Sequence, residues 1–114
     1  MEARVRRICH FLEQEAEARP SLVPIAREAG LSVSRACHLF KAETGVTIRR
    51  RLQDIRMQRA RLLLDTTSMT VKEVAALAGY STSSHFARAF RKAHGTSPSD
   101  VSARRRSGVF RGVG

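Results

Sequence analysis

A chain of 114 residues has room for one domain, or for two very small subdomains sharing a core. With 42% hydrophobic residues it can build a packed interior, which excludes wholesale disorder. Its 21 Lys+Arg against 10 Asp+Glu leave a formal charge of +11, which repels basic partners and concentrates polyanions, whether nucleic acid or an anionic membrane surface.

The elements follow in chain order. Val5, Ile8, Cys9, Leu12 and Ala16 fall on one helical face and predict a packing helix at the N-terminus. Residues 1–20 contain no long apolar run, so no signal peptide is expected and the chain reads as cytoplasmic. Three arginines and four glutamates leave residues 1–17 at −1, so residues 18–114 carry +12. Pro20 and Ser21 end the first helix and start the next, with Pro24 tolerable in its first turn. A helix over about Val33–Glu43 comes next. Thr47 then opens a long helix through about Asp65, with Ile48, Leu52, Ile55, Leu63 and Leu64 as buried candidates. Thr70-x-x-Glu73 is a capping box. A helix over about Thr82–Ala93 follows, and Ser97-x-x-Asp100 with Pro98 opens a last short helix. After Val101 the sequence loses periodicity, which predicts a mobile basic tail over 104–114. The sum is an all-α chain of about seven helices.

Within that order the chain contains itself twice. Ile25–Gly45 matches Val74–Gly95: Ile25 pairs with Val74, Ala26 with Ala75, Ala29 with Ala78, Gly30 with Gly79 and Ser32 with Ser81. One residue is inserted in the second copy, after which Ala36 pairs with Phe86, Phe40 with Phe90, Lys41 with Arg91 and Gly45 with Gly95. Each copy runs a short helix into a glycine, where a left-handed C-cap is cheap only for Gly, and then into a serine cluster able to cap the next helix. Ala26 and Ala75 are small enough for two helices to cross closely, which is the anatomy of a helix-turn-helix. Any helical hairpin in a bundle uses Ala and Gly too. Two matched copies in so basic a chain favour the DNA-reading version.

Arg56-Met57, Ala60, Leu63-Leu64 and Thr66, then Val71, Glu73-Val74-Ala75 and Gly79-Tyr80, then Ser84-His85-Phe86, Arg88, Phe90-Arg91-Lys92, Gly95 and Ser97-Pro98 follow one another in a single pattern. In that pattern the chain resembles the AraC/XylS family of bacterial transcription regulators, over roughly residues 4–101. The resemblance implies a single DNA-binding domain over 1–114. It would comprise a first helix-turn-helix subdomain (4–46), a linker helix (47–66), a second subdomain (67–103) and the tail. It implies sequence-specific binding of double-stranded DNA, with RNA polymerase as the partner of an activator. Most relatives carry a separate effector or dimerisation domain, for which this chain has no room, so it resembles a short stand-alone member or a fragment. Val101 and Ser102 stand where members carry an aromatic followed by Arg, so the last helix is expected to dock less firmly. Ala36 stands where a larger apolar residue is usual, so the first subdomain is expected to pack more loosely.

In a helix-turn-helix the second helix enters the major groove and its N-terminal turns reach base edges. In copy one Ala36, Leu39 and Phe40 face inward, leaving Ser34, Cys37, His38 and Lys41 toward the bases. In copy two Phe86, Ala89 and Phe90 face inward, leaving Ser83, Ser84, Ala87, Arg88 and Arg91. Arg88 is the foremost candidate, since its planar fork matches the two acceptors of a guanine edge; a phosphate contact or a solvated side chain are its alternatives. His38 donates to a base or phosphate, or is simply exposed. Cys37 suits an apolar contact such as a thymine methyl, and Ser83, Ser84 and Ala87 allow close approach while specifying little. Phosphate candidates are Ser32, Ser81, Lys92, the N-terminus near Thr70 and the run Arg49, Arg50 and Arg51, which is equally a solvated helix face. The helix over 47–65, at ~1.5 Å per residue, is a rod of about 28 Å, near the ~34 Å turn of B-DNA. Both readers could then enter successive major grooves. Because the outward residues of the two copies differ, the site is expected to be asymmetric and bound by a monomer.

The main alternative is a nucleoid-type architectural DNA binder with little sequence preference, which suits the charge and the short outward side chains. RNA binding lacks exposed stacking aromatics or a sheet platform, and a protein-docking helix-turn-helix is a further option. No cofactor, metal or enzymatic activity is expected. Cys9 and Cys37 form neither a disulfide framework nor a zinc pattern, and His10, His38, His85 and His94 have no metal spacing. Cys9-His10 and Cys37-His38 are sequence neighbours that point to different helix faces, against a nucleophile–base pair.

Overall fold

The computed structural model describes residues 1–107. Seven α-helices and no strand occur among them: α1 (Ala3–Glu15), α2 (Leu22–Glu28), α3 (Val33–Thr44), α4 (Ile48–Thr66), α5 (Val71–Leu77), α6 (Ser83–His94) and α7 (Pro98–Ser107), with a 3-10 turn (Ala16–Ala18) after α1. The chain divides into two compact units, Met1–Ile55 and the segment from Arg56 onward.

In the first unit the apolar spacing of α1 turns Val5, Ile8 and Leu12 inward, with Ala16 beyond them. They meet Ile25, Ala26 and Ala29 from α2 and its end, and Ala36 and Phe40 from α3. Ile48, Leu52 and Ile55 from the first half of α4 complete this core. Cys9 is half-buried at its edge. In the second unit Met57, Ala60 and Leu64 from the rest of α4 bury against Val74, Ala75, Ala78, Phe86, Phe90 and Val101. Expected as a linker, α4 thus gives each half of itself to a core. Leu63 is only half-buried, and Met57 and Ala60 fill places that periodicity did not assign. Its neighbour Leu62 is 59% exposed, so the run Leu62-Leu63-Leu64 carries no phase information by itself.

Five of the helix starts, those of α3 to α7, are capped by a hydroxyl, whereas Ser21 before α2 makes no such bond. The hydroxyls of Ser32, Thr47, Thr70, Thr82 and Ser97 accept the backbone N–H three residues on, at 3.0–3.3 Å. At Thr70 the box is complete, because the Thr70 N–H donates to Glu73 Oε1 at 2.8 Å. In the second unit His94 Nε2 donates to the Met57 carbonyl at 3.0 Å, and its ring lies 4.4 Å from that of Phe90, tying the end of α6 to α4.

α7 packs on both α5 and α6, with Val101 at 1% and Ser102 at 5% exposure. One expectation about the C-terminal end is corrected: the tail does not begin at Arg104, because α7 continues through Ser107. Arg106 donates to Ser102 Oγ one turn back (2.8 Å) and Arg104 to Thr96 Oγ1 (3.2 Å). Three arginines in a last helical turn also sit well against the negative end of the helix dipole. The rest of the expected tail, 108–114, lies outside the described residues.

Candidate nucleic-acid interface

The repeat read in the sequence is a repeat in backbone geometry. After α2 the Gly30 N–H donates to the Arg27 carbonyl and the Leu31 N–H to the Ala26 carbonyl, both at 3.0 Å. After α5 the Gly79 N–H donates to Ala76 and the Tyr80 N–H to Ala75, again at 3.0 Å. Both pairs form the 5→2 and 6→1 bonds of a Schellman turn, and both need a left-handed residue at its centre: Gly30 has φ 71° and Gly79 φ 92°. The turn ends one helix and, within three residues, delivers the chain to a capped helix, α3 in one unit and α6 in the other. α3 then ends at Gly45 (φ 82°) and α6 at Gly95 (φ 74°).

On α3 the buried Ala36 and Phe40 fix which side faces the solvent. Ser34, His38 and Lys41 are exposed there, as expected; Cys37 is half-buried against the core, which leaves it less to offer a base. On α6 the buried Phe86 and Phe90 turn Ser83, Ser84, Arg88, Arg91 and Lys92 outward, while Ala87 is half-buried. The Phe86 ring packs tilted against Tyr80 at 5.7 Å and against Phe90 at 5.5 Å, so the helix carrying Arg88 is mounted on an aromatic row. Two exposed residues were missed: Arg35 and His85, each one position before the buried anchor of its helix. Each lies three residues before His38 or Arg88 and so shares that face. The spacing was available in the sequence and favours both as neighbours of the expected contacts.

The phosphate candidates divide. Ser32 is exposed at the N-cap of α3, but the corresponding cap of α6 is Thr82, because the inserted residue shifts the cap one place past the exposed Ser81. Arg49 is exposed, Arg50 Nε pairs with Asp54 Oδ1 at 3.1 Å and Arg51 Nη2 with Glu13 Oε2 at 3.4 Å. Exposed ion pairs of this kind are worth about 0–1 kcal/mol, so both arginines can exchange a carboxylate for a phosphate. At Thr70 the geometry works against an anion. Glu73 already places a carboxylate there, held below the usual carboxylate range by the hydrogen bond from the Thr70 backbone and then by the Thr70 hydroxyl. No group of residues suited to a metal ion, and no helix long and apolar enough to cross a membrane, occurs among the described residues.

Comparison with known proteins agrees with this geometry. Residues 25–104 match a family described as a helix-turn-helix domain. The arabinose operon regulatory protein of Salmonella typhimurium is 34% identical over 104 residues, covering 90% of this chain and 37% of the relative. The chain thus spans about a third of the length of the curated relatives it matches first. Among solved structures, an AraC-type transcriptional regulator from Chromobacterium violaceum superposes with a TM-score of 0.83 at 26% identity, covering 90% of this chain and 91% of that one. The DNA-binding domain of the global transcriptional factor AdpA, solved in complex with a target DNA, gives 0.79 at 25% identity, covering 98% and 100%. With two matched turns, two capped helices and a family match over most of its length, the chain belongs to the AraC-type family of helix-turn-helix proteins, a family of DNA-binding transcription regulators rather than enzymes.

Proposed function

We propose that the chain recognises an asymmetric duplex site by placing α3 and α6 in major grooves, binding as a monomer. The observation that carries this is the pair of Schellman turns, each leading to a capped helix with an exposed polar and basic side. Base edges are read by Ser34, Arg35, His38 and Lys41 from α3, and by Ser83, Ser84, His85, Arg88 and Arg91 from α6. Arg88 supplies the bidentate donor. Ser32, Ser81, Lys92 and Arg49–Arg51 hold the phosphates and set the register. The outward residues differ between the copies, and this inequality supports an asymmetric site over a palindrome. Regulation of transcription through RNA polymerase, and action in the cytoplasm on nucleoid DNA, complete the proposal.

Selection from a random duplex pool tests it, followed by binding of the winner and a scrambled duplex across a salt series. The expected result is enrichment of one site of about two helical turns, with binding falling ~10³–10⁵-fold between 50 and 200 mM salt if ~6–10 phosphates are neutralised. Equal binding of winner and scramble at every salt concentration would instead describe an architectural binder.

A further inference from the structure

We propose that the second unit carries a separate binding site for a phosphate-type oxyanion, in a cleft between the segment leading into α5 and one face of α7. The cleft has a volume of about 260 Å³ and is lined by residues 68–71, among them the apolar Met69 and Val71, on one side and by Ser99, Ser102, Arg105 and Arg106 on the other. Positions 99, 102, 105 and 106 follow a helical repeat, so α7 gives this face two hydroxyls and two guanidinium groups. None of the described residues lining the cleft is acidic, but the Thr70 backbone N–H is already taken by the Glu73 carboxylate at 2.8 Å, so the anion is held from the α7 side.

Arg105 points to an acceptor in the cleft. Its Nε is buried and has no hydrogen-bond partner among the described residues. A buried N–H donor without an acceptor is rare in a folded protein and points to something that completes it. The neighbouring Arg106 is held across the same helix turn by Ser102 Oγ, at 2.8 Å, which fixes a second cation beside the first. Ser102 accepts a hydrogen bond through its oxygen and keeps a proton to donate. Guanidinium forks and hydroxyl donors suit a tetrahedral oxyanion, which accepts on several oxygens at once. Two sources share this chemistry, a backbone phosphodiester of bound DNA and a small soluble phosphate.

The test is a titration of the ¹⁵N-labelled full chain with inorganic phosphate at constant ionic strength, following the Nε–H signal of Arg105. A saturable shift with phosphate that chloride does not produce is the expected result. Arg105→Gln combined with Arg106→Gln should abolish it. Arg104→Gln should leave it, since Arg104 donates instead to Thr96. Duplex DNA then separates the sources. Displacement of phosphate by duplex, with the log–log salt slope of DNA binding reduced by about 1 for each arginine removed, identifies a phosphodiester. Unchanged phosphate binding by the DNA-bound chain identifies a soluble oxyanion. Absence of a saturable Arg105 response to both phosphate and duplex overturns the proposal, as does wild-type phosphate binding by the double variant. Should the double variant fail to fold, Arg105→Lys removes the Nε–H while keeping the charge, and the wild-type titration decides by itself.

Discussion

Phe86→Ala tests how the second reading helix is held. Phe86 is fully buried, lies between the rings of Tyr80 (5.7 Å) and Phe90 (5.5 Å), and sits two residues before Arg88. Truncating a buried phenylalanine costs about 3–5 kcal/mol through lost transfer energy and the cavity left behind. At ~0.05–0.15 kcal/mol per residue, a unit of about 50 residues has only ~3–8 kcal/mol of stability to lose. The variant should therefore have a large unfolded population of its second unit without denaturant. Phe86→Leu, which keeps most of the volume, should lose about 1–1.5 kcal/mol. The chain has one tyrosine and no tryptophan, so the near-ultraviolet circular dichroism of Tyr80 reports this core directly during urea unfolding. Specific DNA binding should fall with it, because Arg88 loses its mounting. If Phe86→Ala shifts the Tyr80 transition no more than Ser84→Ala at an exposed position, the aromatic row does not hold α6 and the packing argument fails.

Two further substitutions probe the local devices that set the fold. Gly45→Ala should cost about 1–2 kcal/mol, because φ is 82° and a Cβ there meets nothing within 4 Å, so the whole effect is backbone conformation. A neutral or stabilising result in chemical unfolding would contradict the left-handed cap. Glu73 makes acid stability the second probe. Its folded pKa lies below the ordinary carboxylate value, so its contribution is fully present above that value and is lost as pH falls through the lowered one. Glu73→Ala should therefore melt earlier than the wild type at pH 7 and approach it at pH 3. A gap of equal size at both pH values would mean that the carboxylate does not close the box.

Much of this fold was legible because its punctuation is chemical. Gly30 and Gly79 are needed for positive φ, and Ser32, Thr70 and Ser97 cap by hydroxyl, so the alternation of turn and helix could be read residue by residue. Illegible parts were those decided by packing. Cys37 and Ala87 sit on the flank of their helices, where a periodicity of 3.6 leaves the choice between core and solvent open, and the structure half-buries both. Met57 and Ala60 lie where α4 passes from one core to the next, so no single apolar stripe ran through them. α7 was cut short because its last turn runs through three consecutive arginines, and the hydrogen bonds made there by Arg104 and Arg106 leave no hydrophobic trace. Arg35 and His85 were overlooked although both lie on the face of the chosen contacts.

The most direct measurement is the binding of Arg88→Ala to the selected duplex and to every single-base variant of it, at one salt concentration. If α6 reads bases through Arg88, the variant should lose about 1–3 kcal/mol, roughly 5–150-fold, and lose discrimination at one base pair while keeping it elsewhere. Equal weakening on all sequences, with every preference intact, would make Arg88 a phosphate contact and contradict sequence reading by this residue.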